Sequence, residues 1–68
     1  MFRVDFIDIG ASNKNFSKYI KEINHENLYH AVKPYLQSRN IWFTCRDGEG
    51  VVFAGFQTVG KFKVIIEI

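Results

Sequence analysis

Apolar and polar residues alternate through "FRVDFIDI", with Phe2, Val4 and Phe6 on one side and Arg3, Asp5 and Ile7 on the other. This period of two, in β-favouring residues, predicts a strand over Phe2–Ile9, and Gly10, Ser12 and Asn13 then supply turn residues. The next segment, Phe16–Ile23 ("FSKYIKEI"), fits two periods. Phe16, Tyr19, Ile20 and Ile23 have the i, i+3, i+4, i+7 spacing of a helix face, whereas a strand sets Phe16 and Ile20 against Tyr19 and Ile23. Eight residues is short for a helix, and Asn24 reads as a fresh N-cap directly after it. A strand forming a hairpin with the first is therefore expected, with a helix as the alternative.

Over His25–Ser38 the period changes. Leu28, Ala31, Val32, Tyr35 and Leu36 form one apolar stripe, and Glu26, His30, Lys33 and Gln37 lie away from it, which predicts a long amphipathic helix. Pro34 is interior to that span and is expected to kink the helix from its outer face.

Beyond the helix, Ile41–Arg46 and Val51–Gln57 flank "DGEG", a tight-turn signal, and "TVG" suits a three-residue connection to a last strand with Gly60 in the left-handed position. That register pairs Phe56 with Phe62, Ala54 with Val64 and Val52 with Ile66. Ile41, Phe43, Cys45, Val52, Ala54, Phe56, Phe62, Val64 and Ile66 then make the face on which the helix packs. The second face holds Trp42, Thr44, Arg46, Val51, Phe53, Gly55, Lys61, Lys63, Ile65 and Glu67, with Trp42 opposite Gly55 and Phe53 facing Ile65. The predicted fold is a single α+β domain over residues 1–68. It has a small, mostly antiparallel sheet of four to five strands and one long helix on one face, in the order ββαβββ, or βααβββ if Phe16–Ile23 is helical.

The second face carries more Trp, Phe, Ile and Val than a solvated sheet face normally shows. Composition sharpens that point: 68 residues with 47% hydrophobic content and one Cys give a small core with no intramolecular disulfide to staple it. The charged residues within "MFRVDFIDIG" are inconsistent with a signal peptide or a membrane span, and a lone Cys suits a reducing cytoplasm. The net charge of +2 is too small to imply nucleic acid. It is unevenly placed: between residues 14 and 39, Lys14, Lys18, Lys21, Lys33 and Arg39 oppose only Glu22 and Glu26. Phe, Tyr, Met, Ile, Asn and Lys together number 30 against 12 for Gly, Ala, Arg and Pro, a codon skew that suits an AT-rich genome such as that of a low-GC bacterium or its phage.

No catalytic or cofactor signature accompanies these patterns. Cys45 falls on the core face, where a cysteine behaves as a small hydrophobe. His25 and His30 are five apart and do not share a helix face as i, i+4 metal ligands would. Asp47 and Glu49 are turn residues and Asp8 ends a strand, so nothing gathers them with Asp5 around an ion. The glycines punctuate hairpins and do not lead into a helix N-terminus, as a phosphate cradle requires. No enzyme, cofactor or metal is expected. The expected role is a non-catalytic protein-binding module, a homodimer or an inhibitor or accessory factor of a larger host protein, with Trp42, Phe53 and Ile65 as anchors rimmed by Arg46 and Lys63. The alternative is a nucleic-acid-binding module in which Lys14, Lys18 and Lys21 follow the phosphates while aromatics stack bases.

Overall fold

The computed structural model describes residues 1–66 and is an α+β fold. Its strands are β1 (Phe2–Ile9), β2 (Lys14–Ile20), β3 (Ile41–Arg46), β4 (Glu49–Ala54) and β5 (Gln57–Ile66), and helix α1 (His25–Val32) lies between β2 and β3. They form one five-stranded sheet in the order β2-β1-β5-β4-β3, antiparallel throughout. The alternating β1 sits in the second position, paired with β2 on one side and β5 on the other. Phe16–Ile20 is thus extended, so the helical reading of that segment fails. The strand ends at Ile20, leaving Ile23 as a half-buried residue packed against the core.

The helix is eight residues, not the fourteen its apolar stripe implied. It starts at Asn24, whose Oδ1 accepts from the Asn27 amide at 2.9 Å. Pro34 ends it rather than kinking it. Proline has no N–H to give the His30 carbonyl four residues back, so the i→i−4 ladder cannot continue. The chain tightens into a 3₁₀ turn over Lys33–Tyr35, closed by Leu36 N–H to the Lys33 carbonyl at 3.2 Å. Leu36 is then extended yet still buried, so the apolar stripe reaches the core without staying helical.

The β3–β4 hairpin closes on Arg46 and Glu49 through a two-residue turn in which Asp47 and Gly48 both have positive φ (54° and 77°). The β4–β5 hairpin differs from the expected one. Its turn is Gly55–Phe56, with Gly55 at φ 63°, closed by Ala54 and Gln57. Val52 pairs with Gly60 instead of Ile66, and a bulge falls between Val52 and Phe53. Gly60 is therefore a strand residue, not a turn residue, and Phe56 sits fully exposed at the turn tip instead of in the core. The expected pairings of Phe56 with Phe62 and Ala54 with Val64 are likewise absent.

The core lies between α1 and one face of the sheet. Val4, Phe6, Ile9, Ile20, Val52, Phe62 and Ile41 meet Leu28, Ala31, Val32 and Leu36 there. Phe16 extends it at the β2 edge, stacked between Phe6 at 5.0 Å and Tyr35 at 4.4 Å. Cys45 belongs to the same sheet face but is exposed, because the short helix does not extend over that end of β3.

Candidate functional site

The registers order the second face into rows that run across the strands. One row reads Tyr19, Arg3, Ile65, and the next reads Ser17, Asp5, Lys63, Glu49, Arg46. A third reads Ile7, Lys61, Val51, Thr44, and the last reads Thr58, Phe53, Trp42. The second row is a belt of alternating charge, Asp5⁻, Lys63⁺, Glu49⁻ and Arg46⁺, each opposite its counter-charge on the next strand. Ser17 Oγ donates to Asp5 Oδ1 at 2.7 Å, and Arg3 Nε lies 3.3 Å from the same oxygen.

This belt divides the apolar residues of the face. Trp42 is opposite Phe53, not Gly55, and the two rings stack with centroids 4.1 Å apart and an interplanar angle of 11°. Phe53 pairs with Thr58, while Ile65 lies beyond the belt beside Arg3. The three expected anchors are therefore one pair and one separate residue. Arg46 and Lys63 belong to the belt, where Glu49 lies between them, and do not rim the Trp42–Phe53 pair. Glu67, also assigned to this face, lies outside the described residues.

The Trp42–Phe53 stack is held in place. Trp42 Nε1–H donates to the Gly55 carbonyl at 3.0 Å, and the Gly55 amide donates to the Asn40 carbonyl at 2.8 Å, tying the turn to the start of β3. The indole is 42% exposed even so. Among the described residues no helix covers this face, since α1 packs on the other.

The lysines of the alternative reading gather at the opposite edge. Lys14 and Lys18 are on β2 and Lys21 follows it; all three are exposed. Phe16 turns inward, but Tyr19 is 64% exposed on the second face. Lys18, Tyr19 and Lys21 flank a shallow groove with Asn27 and His30 of α1.

The two histidines do not come together. His30 lies 3.9 Å from Glu26 on the exposed side of α1, whereas His25 packs edge-on to Phe43 with ring centroids 5.4 Å apart. Among the described residues no three His, Cys, Asp or Glu side chains are grouped to hold a metal. No helix among them is long and apolar enough to cross a membrane.

One feature escaped the sequence reading. The β1–β2 connection and the bulged start of β5 enclose an open cleft of about 640 Å³, lined by Asp8, Asn13, Thr58, Val59 and Lys61 among others. Asp8 and Asn13 hold positive φ (55° and 51°), and the Gly10 amide donates to the Val59 carbonyl at 2.9 Å. Asp, Asn and Gly close together were the available signal, since all three tolerate the left-handed region. The chain matches no protein-family model, no curated protein and no solved structure.

Proposed function

We propose that this chain is a small non-catalytic protein-binding module, acting as a homodimer or as an inhibitor or accessory factor of a larger host protein. Its contact is centred on Trp42 and Phe53, at the β3 side of the second sheet face. The carrying observation is the stacked, hydrogen-bonded and still exposed Trp42 on a sheet face that no helix among the described residues covers. An aromatic whose rotamer is already fixed loses little freedom on binding, and Trp is among the residue types enriched at energetic centres of interfaces. Ile65, Lys63 and Arg46 would lie toward or beyond the charged belt, as periphery rather than centre.

The test is affinity capture from a host lysate with the parent chain and with Trp42→Ala and Phe53→Lys, each first shown to be folded by circular dichroism. A protein retained by the parent and lost with both variants supports the reading. Equal retention by all three overturns this site. A nucleic-acid-binding role has its own support in Lys14, Lys18 and Lys21 beside the exposed Tyr19. That role requires oligonucleotide binding that weakens steeply with salt and is lost when the three lysines become glutamine.

A further inference from the structure

We propose that the free edge of β3 pairs antiparallel with the β3 edge of a second copy, about a two-fold axis through Phe43, joining two sheets into one of ten strands. This rests on the protein-binding reading above and names the partner. The sheet order leaves β2 and β3 as its edges. The β2 edge is guarded by Lys14 and Lys18, the usual device against edge-to-edge pairing. The β3 strand, "IWFTCR", is free of Lys, Pro and any bulge in its pairing and reaches a charge only at its last residue.

Hydrogen-bond parity selects the register. Asn40 turns its carbonyl toward β4, accepting from Gly55, and the tight turn closes on Arg46 with Glu49. In an antiparallel ladder, alternate residues bond to the same neighbour. Residues 40, 42, 44 and 46 therefore bond to β4, and Ile41, Phe43 and Cys45 point their N–H and C=O groups outward. Two-fold pairing that keeps both core faces on one side must match residues of equal parity. Centring it on Phe43 engages all three outward residues, Phe43 with its own copy and Ile41 with Cys45 of the second copy, for roughly six hydrogen bonds. Centring on Trp42 or Thr44 engages fewer.

Side chains agree with that register. Trp42 gains Thr44 of the second copy on the side opposite Phe53, which extends the cover over its exposed indole. Just beyond the strand, Arg39 falls opposite Asp47 of the second copy, and the axis repeats this pair of opposite charges. Both residues are exposed in the single chain, and Arg46 is the one charge that lies 3.9 Å from Asp47 among the ion pairs of the described residues.

Sedimentation equilibrium and light scattering on the parent chain test the proposal, with twice the 7.9 kDa chain mass expected. Phe43→Pro removes an outward N–H that the chain's own ladder does not use and should give a folded monomer. Should that variant not fold, Arg39→Glu sets an acid against Asp47 and should raise the dimer Kd about tenfold or more, in keeping with loss of a paired charge and creation of a repulsion. The register is read by Trp42→Cys with Thr44→Cys in a Cys45→Ser background. These two positions would face each other at a non-hydrogen-bonded site, where Cα atoms lie about 4.5 Å apart, and mild oxidation should yield a covalent dimer. A monomeric parent at high micromolar concentration overturns the proposal. A dimer that survives Phe43→Pro and Arg39→Glu, or one that fails to cross-link, overturns it as well. None of these results removes a host protein captured through Trp42, so failure of the edge pairing is separable from failure of the binding reading.

Discussion

Glycines show how little room single residues have in this fold. A Cβ on Gly50 would lie 2.2 Å from Phe62 Cζ and from the Thr44 carbonyl oxygen, and one on Gly60 would lie 2.4 Å from Ile9 Cδ1. At Gly55 φ is 63°, but nothing lies within 4 Å of the added atom. Gly50→Ala should therefore cost about 1–3 kcal/mol or more through crowding, Gly60→Ala as much through crowding together with its positive φ of 155°, and Gly55→Ala about 1 kcal/mol through backbone conformation alone. Urea unfolding midpoints will rank them. A Gly55 penalty larger than the Gly50 penalty would contradict the packing. Phe56 offers the opposite test: fully exposed at its turn, it should tolerate Phe56→Ser within about 0.5 kcal/mol, whereas a residue of the expected core would not.

At the scale of elements, the helix contributes through three buried side chains and one cap. Leu28 is 3% exposed and lies in the core with Val32 and Ile41, so Leu28→Ala should cost about 2–5 kcal/mol. Asn24→Ala removes the acceptor for the Asn27 amide and should cost about 1 kcal/mol. Glu26→Ala, on the exposed side, should change stability by no more than about 0.5 kcal/mol. Thermal melts of the three variants would give that order. The charged belt is a second element-scale feature. Lys63→Glu would place an acid between Asp5 and Glu49, turning two attractive cross-strand neighbours into repulsive ones. The expected loss is about 1 kcal/mol, recovered in part at high salt because Lys63 and Glu49 are exposed and Asp5 is only half-buried.

The whole molecule depends on closure of its first strand onto its last. Phe6 and Phe62 are paired across β1 and β5 and are 1% and 2% exposed, with ring centroids 6.0 Å apart. Phe6→Ala should remove about 3–5 kcal/mol, a large share of the stability of so small a domain, and collapse the amide dispersion of its NMR spectrum. A native-like spectrum would mean that β1 is dispensable. This closure also separates what the sequence determined from what it left open. Strand existence, the helix start at Asn24 and a tight turn within "DGEG" were legible, because each rests on local period, capping or turn chemistry; that Asp47 and Gly48 alone make the turn, with Glu49 and Gly50 already in β4, was not. Facing was legible too. Val52 pairs with Gly60 rather than Ile66, a displacement of even parity, so Phe62 and Val64 stay on the core face and Lys61, Lys63 and Ile65 on the other. Neighbours across the sheet were not legible. Both Gly55 and Gly60 offered the backbone freedom for a turn, and the choice falls to which register lets Phe62 meet Phe6, Val52 meet Gly60 and Ile9 fill the space over Gly60. That choice moved Ile65 away from Phe53 and laid a charged belt between them. Side-chain alternation is a property of one strand and survives any even slip, whereas lateral neighbours depend on contacts between distant parts of the chain, which only the packed tertiary structure decides.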